Sequence, residues 1–300
     1  MGPTQADPAA ATTGSDWAQR PGGQLDAYLR SRSGTENFPV ALRVLPRAPR
    51  THLAAIYDVA RVIDDLGDEA PGDRSALLRE FRDDAALIWR GGKPTTPVLH
   101  RLAGTVAACN LDEQPFVDLI EANLQDQTVS VYPTYADLAA YCELSANPVG
   151  RLVLQVFGVS TPERVELSDR ICTALQIIEH CQDVAEDRRA GRIYLPLEDL
   201  DRYGVVQTDL DAPVTSPALA RLVAYETERA MALLGSGLPL IDELHGWARL
   251  AVSGYIAGGK SAVLALRRAK WDVMRRSSQT RRLDVIQQII ATMTRRKVRA

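Results

Sequence analysis

Two acidic stretches contain the residues best suited to chemistry. The first, "IYDVARVIDDLGDE", runs from Ile56 to Glu69, and the second, "QIIEHCQDVAEDRRAGRIYLP", runs from Gln176 to Pro196. Each places carboxylates four residues apart among apolar residues at helical spacing. Such carboxylates lie about 6 Å apart on one helix face, which suits hard cations such as Mg²⁺ that prefer oxygen ligands. The sequence therefore offers two candidate metal-binding helices.

The polar residues of each stretch fall on one face of a helix. At 100° per residue, the two faces carry Tyr57, Arg61, Asp64 and Asp68 in the first stretch, and Cys172, Gln176, Glu179, Asp183 and Asp187 in the second. Two solvated acidic faces, with Arg61 paired to Asp64 or Asp65, are the alternative interpretation. Carboxylates this dense repel one another, so the pattern favours cations that neutralise them.

Nearby arginines indicate what else such a site would bind. A magnesium cluster is completed by an anionic ligand, and a phosphate or a diphosphate is the usual one. Charge-assisted hydrogen bonds to it could come from Arg61, Arg188, Arg189 and Arg192. The remaining pocket wall would be aliphatic. This combination predicts a prenyl diphosphate substrate held with two or three Mg²⁺ ions.

The elements that must position these residues are predicted to be helices. Apolar residues recur at three- and four-residue spacing, and alternating β-branched runs are scarce, so the predicted fold class is all-α. We predict one domain over 24–296, preceded by a disordered tail over 1–23. The candidate helices cover 24–32, 36–44, 47–67, 73–91, 96–109, 112–128, 134–145, 148–157, 161–189, 216–236, 239–268 and 279–296.

Composition excludes several classes of protein. The chain has 300 residues, 46% of them hydrophobic, which is enough for a sizeable core. A net charge of −3 argues against a nucleic-acid partner, because binding to a polyanion requires excess positive charge. The four cysteines show no metal-binding or paired spacing and are interpreted as buried thiols in a reducing compartment. A cytoplasmic protein is therefore expected.

The C-terminal stretch "TRRLDVIQQIIATMTRRKVRA" is basic and amphipathic, with Val285, Ile289, Ile290 and Met293 near one face. One interpretation is that this face packs on the domain. The other is a peripheral contact with an anionic membrane, at the inner face of the bilayer. The sequence leaves both open.

Together the two acidic stretches resemble the two aspartate-rich signatures of the squalene and phytoene synthases, the head-to-head trans-isoprenyl diphosphate synthases. The resemblance runs from about residue 30 to 275 and includes "SGTENFPVALRVLP" and "YPTYADLAAYCELSANPVGRLVL". It implies a single-domain isoprenoid synthase bundle of helices around a central apolar cavity.

The resemblance also implies roles for individual residues. Asp64 and Asp68 correspond to the first metal-binding pair, and Asp183 and Asp187 to the second. The residues implied to face the diphosphate are Tyr57, Arg61, Gln176, Arg192 and Tyr194. Phe38 and Tyr255 are implied as pocket residues, and Asp65 and Glu186 as acidic neighbours with a lesser role. His180 is interpreted as a structural residue.

Two departures from the family pattern are informative. The family usually reads Asn-x-x-Arg-Asp in the second signature, whereas this chain has Glu179 and Gln182 before Asp183. Together with "ENFP" at 36–39 and "SANPVG" at 145–150, this resembles the hydroxysqualene synthase branch of bacterial hopanoid biosynthesis. Gln182 removes one positive charge and Glu179 adds one carboxylate, which fits a substrate that carries less negative charge. Neutral drift at these positions is the alternative.

The resemblance to that branch implies that presqualene diphosphate, made by a sister presqualene diphosphate synthase, is converted to hydroxysqualene. A downstream desaturase or reductase would take the product, and NADPH is not expected as a cofactor. Candidates for positioning the capturing water are Glu179, Gln182, Asn37 and Tyr255. Direct condensation of two prenyl diphosphates and an inactive scaffold protein remain as alternative functions.

Overall fold

The computed structural model describes residues 44–275 and 280–294, and these residues fold into helices joined by short connections. In chain order the helices are α1 Arg47–Asp68, α2 Arg74–Ala86, α3 Pro97–Cys109, α4 Gln114–Gln125, α5 Tyr135–Ser145, α6 Asn147–Val156, α7 Pro162–Gln182, α8 Val184–Arg189, α9 Leu197–Tyr203, α10 Gln207–Leu210, α11 Pro217–Gly237, α12 Pro239–Glu243, α13 Gly246–Arg268 and α14 Arg282–Met293. No β-strand occurs in these two ranges, and an isolated parallel bridge joins Val131 to Ile193. The predicted all-α class is confirmed.

Two of the predicted helices are interrupted. The candidate over 239–268 is divided into α12 and α13 because Leu244 and His245 adopt extended backbone and Gly246 has φ of +56°. The candidate over 161–189 is divided into α7 and α8 at Asp183. The candidate helices leave 190–215 unassigned, and this stretch contains the short helices α9 and α10.

Some predictions concern residues that the structure does not describe. The N-terminal tail over 1–23, the candidate helix over 24–32 and all but the last residue of the candidate over 36–44 lie outside the described residues. Asn37 and Phe38 lie there as well. The predicted domain boundaries therefore stay predictions.

Helix α7 lies at the centre of the packing. It contacts α5, α6, α11 and α13, and its buried residues Ile177 and Ile178 are 1% exposed. Close approach of α6 depends on Gly150, because a Cβ atom there would lie 2.5 Å from both Cys172 Sγ and Ser168 Oγ. Since α7 contains the start of the second acidic signature, this packing supports one half of the candidate site.

Of the four cysteines that the sequence analysis interprets as buried thiols, two are fully buried. Cys142 and Cys181 are buried, Cys109 and Cys172 are half-buried, and none forms a disulfide. Burial raises the pKa of Cys142, Cys172 and Cys181 to about 12, so these side chains stay protonated and unreactive at neutral pH. Among the described helices, none combines the length and apolar character needed to cross a bilayer.

A buried acidic cluster lies between α9 and α11, outside the two signatures. Asp199 is 2% exposed and Glu226 is 1% exposed, and both contact Arg229, at 3.0 and 3.4 Å. Burial and a hydrogen bond with Asp199 raise the pKa of Glu226 from 4.5 to about 8. The Arg229 guanidinium also lies 4.2 Å from the Tyr135 ring centroid. One cation thus serves two buried carboxyl groups, of which Glu226 is stable in its protonated form.

This cluster makes stability depend on pH. Because the pKa of Glu226 is raised on folding, its stabilising contribution is complete below pH 4.5 and is lost as the pH rises to about 8. We expect Glu226→Gln to remove this dependence and to stabilise the protein at pH 9 by about 1–2 kcal/mol. Urea unfolding at pH 5 and pH 9 measures the effect. A variant less stable than the parent at pH 9 would contradict it.

Candidate active site

The first acidic signature lies in the last three turns of α1. Ile56, Val59 and Ile63 are buried on the core side, whereas Asp64 and Asp68 are exposed. The intervening Asp65 is 8% exposed, and Arg61 Nε lies 3.4 Å from its Oδ1. Asp65 therefore holds Arg61 in place, which is one of the two pairings anticipated from the sequence, and Asp64 and Asp68 are directed outward.

A close contact between α1 and α4 supports this end of the signature. Gly67 faces Asn123, and a Cβ atom on Gly67 would overlap the Asn123 side-chain oxygen and lie 3.1 Å from Asn123 Cγ. Asn123 Nδ2 donates to Asp64 Oδ1 at 3.4 Å, and Gln127 Nε2 donates to the Gly67 carbonyl at 3.0 Å. The glycine of "DDLGD" thus brings an amide donor to Asp64.

Replacing Gly67 with alanine should displace Asn123 from Asp64. We expect Gly67→Ala to reduce stability by about 1–2 kcal/mol through overpacking, and to lower activity as well. Gly104→Ala in α3 is a matched control, because a Cβ atom there meets nothing within 4 Å. That change should stabilise the protein by up to about 1 kcal/mol through helix propensity. Equal effects of the two substitutions in thermal unfolding would contradict the role of Gly67.

The second signature is not one continuous helix. Asp183 has φ of −103° and ψ of 15°, so α7 ends at Gln182 and α8 begins at Val184. The Asp183 carbonyl accepts from the backbone N–H groups of Glu186 and Asp187, both at 2.8 Å. The stripe predicted at 100° per residue is therefore wrong beyond Asp183. Neither glycine nor proline marks this break, so it could not be predicted from the sequence pattern.

Negative charge is concentrated around Asp183. Burial, followed by the neighbouring carboxylates of Asp187 and Glu186, raises the pKa of Asp183 to about 6, while His180 opposes the shift. The anionic form of Asp183 is thus poorly compensated by the described side chains. A bound cation would supply the missing charge.

His180 lies inside the site, although the sequence favoured a structural role. Its ring is buried and stacks on Tyr194, with centroids 3.9 Å apart and an interplanar angle of 15°. Its Nδ1 lies 3.8 Å from Asp187 Oδ2, and Gln176 Nε2 lies 3.3 Å from its Nε2. His180 therefore joins three of the predicted site residues, Gln176, Asp187 and Tyr194, into one contact group.

Asp126 is a site residue that the sequence analysis missed. It accepts hydrogen bonds from the hydroxyl groups of Tyr141, at 2.6 Å, and Tyr194, at 3.1 Å. Burial raises its pKa, and the two hydrogen bonds and Arg192 oppose that shift. The ring of Tyr132 lies 5.6 Å from that of Tyr194 and stacks on it. One signal was present, because Asp126 is the only charged residue between positions 122 and 136.

Arg192 connects the two signatures. Its Nη2 donates to Asp68 Oδ1 at 2.5 Å, and its backbone N–H donates to the Asp187 carbonyl at 2.9 Å. The next residue, Ile193, is fixed by a backbone bond of 2.8 Å to the Ser130 carbonyl. Beside it is a depression lined by His180, Val184, Asp187, Arg188, Arg192, Ile193, Tyr194, Leu195 and Leu210. The first and second acidic motifs therefore meet at this arginine.

Other predicted residues lie less centrally. Arg188 and Arg189 are predicted from the sequence to bind the diphosphate. In the structure Arg188 forms a bidentate pair with Asp211, at 2.7 and 3.0 Å, and Arg189 is exposed. Tyr255 is half-buried against the core around α13, and burial raises its pKa. The remaining predicted positions are half-buried or exposed: Tyr57, Gln182 and Glu179.

The carboxylates of the two signatures fit magnesium chemistry in pairs rather than as a preformed cage. In the ranges 44–275 and 280–294, no three or more His, Cys, Asp or Glu side chains are grouped closely enough to hold a metal ion. Mg²⁺ is typically held by one or two carboxylates together with waters and substrate phosphates. The raised pKa of Asp183 and the outward position of Asp64 and Asp68 are consistent with that mode.

Relatives of known activity are similar to this chain over most of its length. A hydroxysqualene synthase from Rhodopseudomonas palustris is 36% identical over 212 residues, which cover 70% of this chain and 71% of that enzyme. A presqualene diphosphate synthase from the same organism is 34% identical over 199 residues, covering 65% and 71%. The similarity therefore includes more than one reaction.

Solved structures show the same fold. Squalene synthase HpnC from Alicyclobacillus acidocaldarius is 40% identical, with a TM-score of 0.75, covering 83% of this chain and 95% of that one. A dehydrosqualene synthase in complex with ligand is 23% identical, with a TM-score of 0.80, covering 90% and 95%, and supports the fold alone. The family model described as squalene/phytoene synthase matches residues 31–285. The chain belongs to the squalene/phytoene synthase family.

Proposed function

We propose that this chain converts presqualene diphosphate to hydroxysqualene. Membership of the family makes it an isoprenoid synthase. The observation that carries the finer proposal is the composition of the second signature, where Glu179 and Gln182 stand at positions the family usually gives to Asn and Arg. The 36% identity to a hydroxysqualene synthase supports the same choice.

The proposed metal ligands are Asp64 and Asp68 on α1 and Asp183 and Asp187 at the junction of α7 and α8. When bound, Mg²⁺ would neutralise the diphosphate and so make it a better leaving group. The four carboxylates belong to two elements that meet at Arg192, which is consistent with a diphosphate bridging both pairs. Two or three ions would satisfy this arrangement.

The side chains of the site orient the substrate. In the uncomplexed chain Arg192 donates to Asp68, and we expect its guanidinium to turn to a diphosphate oxygen when substrate binds. Tyr194 is held in position by its hydrogen bond to Asp126 and by the stacked ring of His180. These contacts fix the arginine, the tyrosine and Asp187 relative to one another before substrate arrives.

The proposed reaction needs no reductant. The bond between the substrate carbon and the diphosphate oxygen breaks, and its electron pair leaves with diphosphate. The resulting cyclopropylcarbinyl cation rearranges within apolar walls that exclude bulk water. A single water then forms the new carbon–oxygen bond and releases a proton, giving the alcohol. Glu179, Gln182, Asn37 and Tyr255 stay the candidates for positioning that water.

Two observations favour a different reaction and define the main alternative. The structure that is 40% identical to this chain is a squalene synthase, and a presqualene diphosphate synthase is 34% identical. Head-to-head condensation of two prenyl diphosphates, giving squalene or a phytoene-type product, is therefore the second candidate function. An inactive scaffold is disfavoured because all four aspartates are retained.

The two candidate reactions can be distinguished by which substrate the protein converts. Purified protein with Mg²⁺ would be incubated with farnesyl diphosphate alone, and separately with presqualene diphosphate alone, and the extracts analysed by mass spectrometry. Our proposal requires product from presqualene diphosphate and none from farnesyl diphosphate. Presqualene diphosphate formed from farnesyl diphosphate alone, or squalene formed from it once NADPH is added, would establish the condensation reaction instead.

A further inference from the structure

Helix α14 presents an apolar stripe to the outside. Leu283, Ile286 and Ile290 are 72%, 54% and 57% exposed, and their spacing of three and four residues puts them on one face. The opposite face packs on α13, where Arg268 pairs with Asp284 and Arg249 Nη2 donates to the Met293 carbonyl at 2.8 Å. The helix is thus anchored at both ends with one hydrophobic face outward.

The sequence identified a different face. Val285, Ile289 and Met293 are half-buried and belong to the side that packs on α13, which supports the packing interpretation for those residues. Only Ile290 of the four residues predicted for the apolar face lies on the outward stripe. The helix therefore has two apolar sides, and packing on α13 accounts for just one of them.

This stripe differs from the other exposed apolar residues of the described chain. Those are scattered, and they are Val44, Val131, Val206, Val214 and Trp247. Trp247 lies in the first turn of α13, at the end of the helix pair where Arg249 bonds to Met293. Scattered apolar residues are ordinary on a protein surface, whereas an aligned set indicates an interaction.

The C-terminal part of the sequence that contains α14 is strongly positive. Residues 267–300 contain eleven Lys or Arg and two Asp, a formal charge of +9, although the whole chain carries −3. The remaining residues therefore carry −12. In the described part of this segment the two acids are already paired, Asp272 with Arg275 and Asp284 with Arg268. Arg281 and Arg282 are exposed immediately before Leu283.

We propose that α14 docks on an anionic lipid bilayer, with Leu283, Ile286 and Ile290 inserted among the acyl chains and the adjacent arginines against the lipid phosphates. A helix lying in the plane of a membrane requires this combination of an apolar face and flanking cations. Each basic residue near an anionic surface adds attraction that salt screens. Trp247 would lie at the polar interface, where tryptophan is favoured.

Other occupants fit the surface less well. A stable interface between two copies buries about 800 Å² on each partner, which three aliphatic side chains do not provide, and the +9 segments of two copies would repel. The phosphates of a nucleic acid would pair with the arginines, but they would leave the leucine and isoleucine stripe without an apolar partner. An anionic lipid bilayer offers acyl chains to the apolar stripe and phosphates to the arginines.

Vesicle flotation with the full chain tests the proposal. We expect binding to vesicles of phosphatidylcholine with 30% phosphatidylglycerol, weak binding to phosphatidylcholine alone, and release by salt. The triple substitution Leu283→Gln, Ile286→Gln and Ile290→Gln should lower the partition coefficient at least about tenfold. Arg281→Gln with Arg282→Gln should lower it by about tenfold or more, on the acidic vesicles alone.

A matched control removes exposed apolar residues elsewhere, through Val44→Gln, Val206→Gln and Val214→Gln, and should bind vesicles like the parent. Circular dichroism and thermal unfolding check that each variant folds. Absence of binding by the parent chain would overturn the proposal, and so would equal binding by the α14 triple variant. The proposal would also be overturned by a triple variant that loses thermal stability or changes its oligomeric state without altered vesicle binding. Such a result would assign the stripe to packing within this chain or to contact with a second copy.

Discussion

Asp183→Asn is expected to lower turnover of presqualene diphosphate by at least about 100-fold while making the metal-free protein more stable. Activity falls because the carboxylate is needed to bind the metal cation. Stability rises because, without the cation, the neighbouring carboxylates repel it. Its pKa is raised to about 6 by burial and by Asp187 and Glu186. A raised carboxyl pKa means that stability is lost as the pH rises from 3.8 to about 6. The amide removes that loss.

The stabilisation should be largest above pH 6 and, after solvent screening, reach up to about 1 kcal/mol. Thermal unfolding with EDTA at pH 5 and pH 8, together with steady-state kinetics, measures both effects. Glu186→Gln is the matched control, because Glu186 is exposed in the same short helix. It should retain turnover within about tenfold of the parent. An Asp183→Asn variant that keeps full activity would remove the second metal site from the account.

Arg192→Gln should have the next largest effect on activity. The arginine contacts Asp68 of the first signature through its guanidinium and the Asp187 carbonyl through its backbone, so its side chain is the link that the substitution removes. We expect kcat/KM to fall by about 100-fold, the loss of one hydrogen bond between charged groups. Part of the loss should appear in KM, because the same guanidinium would bind the diphosphate in the ground state.

The comparison variant is Arg189→Gln, which removes one positive charge at an exposed position three residues earlier, at the end of α8. Its kcat/KM should stay within about threefold of the parent, since screened surface charges contribute little. Equal losses in the two variants would mean that Arg192 acts through general electrostatic attraction alone. In that case the contact between the two signatures would have no specific role.

Sequence patterns were sufficient for the fold class and for one side of the site. In α1 the apolar residues Ile56, Val59 and Ile63 recur at helical spacing over 22 residues, so the outward position of Asp64 and Asp68 follows from periodicity. The roles of these aspartates as metal ligands remain proposals.

Periodicity failed where the backbone departs from regular helix without a glycine or proline to mark it. The break between α7 and α8 at Asp183 is of this kind, and it places Asp187 away from the position expected for a continuous helix. Asp126 was missed for a different reason, because its two tyrosine partners are 15 and 68 residues away along the chain. Contacts of that length arise from tertiary packing, which a local pattern does not encode.

His180 illustrates the limit of a statistical argument. A single histidine in a helix is more often structural, and nothing in its sequence neighbours identifies Tyr194 as a stacking partner. The fold brings the two rings to a centroid separation of 3.9 Å because the chain after α8 returns past the end of α7. Its position beside Asp187 makes it a candidate for positioning the second signature.

The most direct test of the proposed function is product analysis with presqualene diphosphate and Mg²⁺ in the absence of NADPH. Hydroxysqualene, carrying one oxygen from labelled water, is the product that the account predicts, together with one equivalent of diphosphate. Turnover to any other product, or no reaction unless farnesyl diphosphate is supplied, would contradict it.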